Sequence, residues 1–329
     1  MATINEIAKM AKVSRTTVSR FLNNSGYVSE DVRKRIEKVI EETGYIPSQY
    51  AKSLRTKQTK VIGVILPTIR TETSSRLVAG MDEILAASGY QILLANTNLN
   101  KEKEMEYMDL LKSRQVDGII LAATNVSDAL VNKISQLVIP CVAIGQEIDG
   151  ISNVLYDDYH VARALTSLFI SKGHQHIGFI GVAESDRSVG LLRKKGYLDE
   201  MEKSDFAVEP AWLQKGIFDI DSGYTAMKNI METSNQKPTA VFAVTDRLAI
   251  GAMKYLKEHN YNIPDDVAIA GIGASEVSMH LDPSLTTVDY QNEKAGKEAA
   301  ILILDQIKKE NKAIKKLTLT YRLLERGSV

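Results

Sequence analysis

Residues 3–22 read TINEIAKMAKVSRTTVSRFL, and two helix starts are written into them. Thr3-Ile4-Asn5-Glu6 is a capping box: the Thr3 hydroxyl can accept from the Glu6 amide while Glu6 reaches back. Ile4, Ile7, Ala8 and Ala11 then share one helical face. Lys12-Val13 interrupts the pattern, and Ser14 is placed to cap a second helix running through Ser19 to about Leu22, with Val18, Phe21 and Leu22 inward. Asn23-Asn24-Ser25-Gly26 reads as a turn. Ser29 is expected to cap a third helix, opened by Glu30 and Asp31, buried along Val32, Ile36, Val39 and Ile40, and closed by Gly44. Two short helices across a tight turn, followed by a third, describe a helix-turn-helix module. The end of the second helix that enters the major groove in such modules carries Arg15, Thr16, Thr17 and Arg20, which can pair with guanine or meet a thymine methyl.

The charge distribution agrees. The chain of 329 residues holds 41 basic and 41 acidic side chains, yet residues 1–60 carry twelve basic against six acidic, leaving +6 there and −6 on the remainder. A basic head on an acidic body suits a protein that meets a polyanion through one segment. Hydrophobic residues at 44% and charged residues at 25% describe a chain able to bury a core, which excludes wholesale disorder, a collagen-like repeat or a coiled coil. The length suggests two domains with an appendage. One cysteine, Cys141, excludes a disulfide framework and suits a reducing compartment. The start, MATINEIAKM, lacks the apolar core of a signal peptide, and no apolar stretch is long enough to span a bilayer. A cytoplasmic protein without a membrane partner is expected.

Thr3-Ile4, Ile7-Ala8, Ala11, Val13-Ser14, Thr17-Val18-Ser19-Arg20, Leu22-Asn23, Val28-Ser29, Arg33, Ile36 and Gly44-Tyr45-Ile46-Pro47, together with Ala51-Lys52-Ser53-Leu54, resemble the headpiece of the LacI/GalR repressors. The resemblance implies a DNA-contacting set of Ser14, Arg15, Thr16, Thr17, Arg20, Asn23, Leu54 and Arg55. It also implies a headpiece over residues 1–47, a hinge and linker over 48–60, and an effector-binding and dimerisation body over 61–329. Ser48 to about Thr56 would be a hinge helix that folds on operator DNA, with Leu54 as a minor-groove wedge. An apolar Leu54 in the polar, basic run from Gln49 to Lys60 has no evident core to join, which fits a wedge that trades unstacking for bending.

From Val61 onward, near-continuous apolar strands alternate with amphipathic helices, which predicts parallel sheets covered on both faces. Strands are expected at Val61–Pro67, Tyr90–Ala95, Val116–Leu121 and Val142–Ile144, with helices near Ser75–Ser88, Lys101–Ser113 and Asp128–Leu137. The rhythm restarts after Asp157-Asp158, with helices at His160–Ser171, Gly190–Lys203, Gly223–Glu232 and Leu248–His259 and strands at His176–Gly181, Ala240–Ala243 and Val267–Gly271. The expected fold class is α/β: a three-helix headpiece plus a body of two similar lobes. The LacI/GalR resemblance continues through Val116–Ile120, Lys172-Gly173-His174, Thr245-Asp246 and Pro283–Val288. It implies a periplasmic-binding-protein-like body whose chain crosses between lobes near 157, 288 and 319.

No catalytic, metal or cofactor set is expected. His174-x-His176 lacks an acidic or cysteine partner at ligand spacing, Gly271-Ile272-Gly273 lacks the rest of a dinucleotide fingerprint, and adjacent Asp157 and Asp158 point different ways on an extended segment. A ligand cleft at the carboxyl ends of the two sheets is expected instead. The resemblance and the topology place Arg70, Asn125, Arg187, Ser188, Gly190, Arg193, Phe218 and Asp246 around it. Arg193, three residues before Gly196-Tyr197, matches a family arginine that grips effector oxygens, and Phe218 matches a position where a ring can stack on the effector. Two departures shape the expected ligand. Gly273 stands where many relatives carry an acid, and the segment Arg70–Arg76 lacks the aromatics many relatives have there. A mouth rich in arginine and hydroxyls argues against a flat purine and toward a polyol or phosphorylated sugar. Arg70, the Ser185–Gly190 loop and Arg193 are similar to those of trehalose-phosphate-sensing repressors, and sucrose-operon repressors are also plausible relatives.

The expected function is therefore a homodimeric repressor of a carbohydrate operon, released from a palindromic operator in double-stranded DNA by a sugar or sugar phosphate. The chain stops at Val329 without a heptad segment, so a dimer is expected rather than a tetramer. Two other classes compete. A free sugar-binding protein of transport is opposed by the basic head, and an α/β enzyme by the lack of a coherent nucleophile, metal or cofactor set.

Overall fold

Helix α1, Ile4–Met10, begins where Thr3 and Glu6 exchange hydrogen bonds, the Thr3 amide donating to Glu6 at 2.7 Å and the Glu6 amide to the Thr3 hydroxyl at 3.3 Å. Helix α2, Arg15–Leu22, is capped by Ser14, which accepts from the Thr17 amide at 3.0 Å. Helix α3, Glu30–Thr43, follows Ser29, but the Ser29 hydroxyl makes no capping bond. Glu30 and Asp31 in the first turn complement the helix dipole there, and Gly44 ends the helix in the left-handed region at φ 59°. Ile7, Ala8, Ala11, Val18, Ile36 and Val39 form the small core shared by the three helices. The structure is a computed structural model that describes residues 2–45, 58–308 and 313–329. The hinge helix expected around Leu54 and Arg55 lies outside the described residues. The chain divides into two compact units between Thr59 and Lys60.

The second unit has two lobes. In the first, strands β1 (Val61–Leu66), β2 (Gln91–Asn96), β3 (Gly118–Ala122), β4 (Cys141–Ile144) and β5 (Ser152–Tyr156) pair in parallel. Helices α4 (Glu72–Ala87), α5 (Lys101–Ser113) and α6 (Asp128–Ser135) connect them. In the second lobe, β6 (Ile177–Gly181), β7 (Leu213–Lys215), β8 (Ala240–Ala243) and β9 (Ala268–Ala270) form a parallel sheet of order β7-β6-β8-β9. Helices α7 (Asp158–Ser171), α8 (Arg193–Lys203), α9 (Ile220–Thr233), α10 (Asp246–Glu258) and the short α11 (Glu276–His280) surround it. Strand β10 (Thr287–Asp289) then leads into α12 (Asn292–Lys308), which packs on the first lobe. Strand β11 (Lys316–Leu319) joins the first sheet beside β5, in the order β11-β5-β4-β3-β1-β2, and β12 (Arg322–Leu324) returns antiparallel to β10. The chain thus passes between the lobes at 156–158, 289–292 and 319–322.

Strands buried on both faces explain the sequence pattern: every residue of β3, β4, β6 and β8 is buried. Each lobe also holds helices packed at very close range. A Cβ on Gly80 of α4 would lie 1.9 Å from the Glu293 carbonyl oxygen of α12, and one on Gly296 would lie 2.1 Å from that of Leu77. In the second lobe, Gly223 of α9 faces the Leu248 carbonyl at 2.3 Å and Gly251 of α10 faces that of Ile220 at 2.0 Å by the same measure. Only hydrogen in place of a side chain permits these approaches.

One expected helix differs. Residues 187–192 form a π-helical turn before α8 starts at Arg193, rather than the first turn of a helix from Gly190. A Cβ on Gly190 would strike the Ala183 carbonyl oxygen at 2.2 Å, so the wider turn packs against the 183–184 backbone.

Candidate functional site

In the first unit, Arg15, Thr16 and Arg20 are exposed along α2, whereas Thr17 and Asn23 are half-buried. The Ser14 and Thr17 hydroxyls share a 2.8 Å hydrogen bond at the cap, and Asn23 Nδ2 donates back to the Ser19 carbonyl at 2.6 Å. Those three side chains therefore hold the helix, and Arg15, Thr16 and Arg20 are presented outward. Arg15 and Arg20 make no ion pair among the described residues, unlike Arg35, which pairs with Asp31 at 3.3 Å and donates to the Ala11 carbonyl, or Arg33, which lies over the Phe21 ring at 5.4 Å. Tyr27, next to the turn, is 88% exposed, an outlying aromatic that the sequence reading passed over. Ser14→Ala is expected to cost about 1 kcal/mol of local stability, read as faster amide exchange across α2. Unchanged exchange there would remove the cap from the argument.

The second unit contains a cleft with about 1180 Å³ of empty space, open solvent at its mouth included, walled by the strand ends and loops of both lobes. Of the residues expected around it, Ser188, Arg193, Phe218 and Asp246 line the wall. Arg70, Asn125, Arg187 and Gly190 do not. Arg70 and Arg187 are exposed side chains. Asn125 is turned away, its Nδ2 donating to Glu104 and its Oδ1 accepting from the Ser127 amide at 3.1 Å. Gly190 serves the close backbone approach described above. Glu104, buried on α5, also accepts from the Thr124 hydroxyl at 2.9 Å and so fixes the loop after β3, whose Thr124 does reach the cleft. Burial pushes the Glu104 carboxyl above the ordinary carboxylate range.

The floor of the cleft is ionic. Arg193, buried at the start of α8, donates from Nε to Asp158 Oδ1 at 2.6 Å and from Nη1 to the Val244 carbonyl, and its guanidinium lies 5.3 Å from the centre of the Tyr290 ring. Tyr290 donates to the same Asp158 oxygen at 2.9 Å and stacks on Tyr156 with ring centres 4.6 Å apart. Tyr156 in turn donates to Asn292 Oδ1 at 2.7 Å. Asp246 accepts from the Thr287 hydroxyl at 2.5 Å and from the Ser275 amide and hydroxyl at 2.7 and 2.9 Å. Phe218 has φ 67°, a costly conformation for a bulky residue, and Arg247 Nε holds its carbonyl at 3.2 Å.

Two contacts join the lobes across the mouth. Gln146, just after β4, donates from Nε2 to Asp186 Oδ1 at 2.7 Å and accepts from the Ser188 hydroxyl at 3.1 Å. On the other side, Glu72 at the start of α4 accepts from the Glu276 amide at 2.8 Å while pairing with Arg76. Burial raises the carboxyls of Asp186 and Asp246 above their ordinary range. The sequence reading reached Asp186 only as part of the Ser185–Gly190 loop and missed Asp158, Gln146, Tyr156 and Tyr290. Asp158 and Tyr156 flank the first lobe crossing and Tyr290 the second, and polar or aromatic residues at expected crossovers were the available signal. Among the described residues, no group of three or more His, Cys, Asp or Glu is placed to hold a metal ion, and no helix is long and apolar enough to cross a membrane.

Comparison with known proteins bears on both units. Residues 3–48 match the pattern of bacterial regulatory proteins of the lacI family, and residues 166–329 match a periplasmic binding protein-like domain. The chain is 31% identical over 331 residues to the HTH-type transcriptional regulator RegA of Clostridium saccharobutylicum, covering 100% of this chain and 99% of that protein. It is likewise 31% identical over 333 residues to the HTH-type transcriptional repressor PurR of Proteus mirabilis (strain HI4320), covering 100% and 97%. Among solved structures it is similar to a transcriptional regulator CelR–cellobiose complex, at 26% identity and a TM-score of 0.76 over the full length of both chains. A lac repressor dimer bound to operator and the anti-inducer ONPF shares the fold at 22% identity, with a TM-score of 0.88 over 99% of this chain and 98% of that one. The likeness these comparisons show is to regulators such as RegA and PurR, and not specifically to the expected trehalose- and sucrose-operon repressors.

Proposed function

This chain belongs to the lacI family of bacterial regulatory proteins, and from that membership we propose that it represses a carbohydrate-utilisation operon and is released from its operator by a small sugar bound between the lobes. It is a DNA-binding regulator and not an enzyme. The observation that carries the sugar reading is the composition of the cleft: the rings of Tyr156, Phe218 and Tyr290 surround a floor of Asp158, Arg193 and Asp186, with the hydroxyls of Thr68, Thr71 and Thr124 on the walls. Apolar ring faces beside paired polar groups suit a sugar, which presents C–H faces and hydroxyl edges. The CelR–cellobiose complex, similar over its whole length, supports the same ligand class.

A homodimer completes the proposal. One headpiece reads one half-site, so a two-fold pair requires a pseudo-palindrome. The edge strand β2 leaves Leu93 and Leu94 each 40% exposed, an apolar edge that a second copy can cover. In this reading Arg15, Thr16 and Arg20 discriminate bases, and the hinge with Leu54 and Arg55 engages the minor groove between half-sites.

Arg20→Ala is expected to weaken operator binding by about 1–3 kcal/mol and binding to random DNA far less. A mobility-shift titration with a selected palindrome, repeated with trehalose, sucrose and cellobiose, tests both halves of the proposal. Equal losses on both DNAs reassign Arg20 to the backbone. Operator complexes that no sugar releases remove the sugar from the reading.

A further inference from the structure

We infer that Asp158 and Asp186 decide what the cleft accepts: each keeps one carboxylate oxygen for a hydroxyl of the ligand, so the occupant is an uncharged hydroxyl donor and a phosphorylated sugar is rejected. The inference rests on the sugar reading and narrows it.

Both residues line the cleft and both are more than nine-tenths buried, Asp158 at 2% exposure and Asp186 at 8%. In each, a single oxygen takes the protein's bonds. Asp158 Oδ1 accepts from Arg193 and Tyr290, and Asp186 Oδ1 accepts from Gln146 and, at 2.9 Å, from the Val189 amide. Their Oδ2 atoms accept from no described residue, yet neither is a sealed, orphaned atom; the buried side-chain atom without a partner among the described residues is Ser234 Oγ. Both residues line the cleft, so these two oxygens are the acceptors left for a ligand, and a carboxylate oxygen accepts but does not donate. Asp246, the third carboxylate of the wall, already accepts three hydrogen bonds from Thr287 and Ser275 and has less to offer.

The cations of the wall each spend part of their guanidinium on the protein itself. Arg193 is held by Asp158 and the Val244 carbonyl, and Arg247 by the Phe218 carbonyl. Glu72 adds a fourth carboxylate, paired with Arg76. Four carboxylates and two guanidiniums thus face one cleft. The exposed Arg70 and Arg187, which the sequence offered as phosphate ligands, stand outside its wall. A phosphate group would bring about −1.5 to −2 charges to a wall on which carboxylates outnumber guanidiniums by four to two. A sugar hydroxyl donating to either free oxygen makes a charge-assisted bond instead.

The test is calorimetry on the full chain with trehalose, sucrose and their 6-phosphates, for wild type and Asp186→Asn. In wild type, the unphosphorylated member of at least one pair is expected to bind at least about tenfold tighter than its phosphate, and Asp186→Asn, which keeps the shape and removes the charge, to reduce that ratio at least about tenfold. A phosphate ester bound more tightly than its parent sugar by wild type overturns the inference, as does a ratio unmoved by Asp186→Asn in protein that retains its wild-type circular dichroism. If that variant does not fold, the wild-type ratio decides alone. Silence from all four sugars defeats the sugar reading. Inorganic phosphate, titrated in the same buffer, then judges the charge argument by itself: saturable binding tighter than about 1 mM overturns it, and no binding supports it.

Discussion

Arg193→Ala lowers the stability of the second unit by about 3–5 kcal/mol, because it strands a carboxylate that the fold has buried around a cation. Arg193 and Asp158 side chains are 6% and 1% exposed, and no other cation is paired with Asp158 among the described residues. Tyr290 continues to donate to Asp158, but its hydroxyl is neutral: burial holds the Tyr290 phenol well above its ordinary range. The Val244 carbonyl loses its donor as well. Urea unfolding followed by the fluorescence of Trp212, the single tryptophan and a buried residue of the second lobe, reads the loss directly. A loss under 1 kcal/mol would show that water replaces the guanidinium at little cost. The companion double substitution Asp158→Asn with Arg193→Met removes both charges and should recover most of the stability, since a buried pair replaced by matched uncharged groups is often near neutral. Arg193 is thus a structural cation as well as a ligand candidate, and loss of effector affinity in Arg193→Ala has to be read against its unfolding curve.

Gly251→Val is expected to cost about 3 kcal/mol or more, at the upper end of overpacking effects. The added Cβ would sit 2.0 Å from the Ile220 carbonyl oxygen and 2.5 Å from the Tyr224 amide nitrogen, both backbone atoms of α9 that cannot swing aside. Relief requires the two helices to separate, and that opens the apolar contacts of Met227, Leu248, Ala252 and Tyr255 in the second-lobe core. Gly89→Asn is the contrast: at φ 72° with nothing within 4 Å of its Cβ, it meets only a backbone preference that asparagine tolerates. Thermal unfolding of the two variants should differ by many degrees, and equal midpoints would mean that α9 and α10 slide apart freely.

The headpiece was legible because its signals are local. Thr3 with Glu6, Ser14 and Gly44 act within one helical turn, and each does in the structure what its residue type suggests. Ser29 is the exception: it holds the cap position without the bond, and acidic residues of the first turn provide the alternative. The strands of the body were legible because burial on both faces leaves an apolar run. The cleft was harder for a physical reason. Its residues come from segments far apart in sequence, Tyr156, Arg193 and Tyr290 among them, and only packing brings them together. Arginine count was a poor guide to it, since Arg70 and Arg187 near the right loops point to solvent while Asp158 beside the first crossing and Asp186 after β6 form the floor. Nothing in the periodicity of Gly190–Lys203 separates a π-helical turn from an ordinary one; the backbone it packs against, at Ala183, lies outside that stretch.

The cleft and the connectors share residues. Asp158 starts the helix that follows the first crossing, Tyr290 follows the strand before the second, and Asn292 opens the helix beyond it. A molecule that touches Asp158 and Tyr290 therefore pulls close to the pivot of the two lobes rather than at their tips. Mechanically this is the short arm of a lever. Small adjustments of fit at the pivot become large displacements at the far ends of the lobes, and a ligand differing by one hydroxyl at that point can change the angle between the lobes as well as its own affinity.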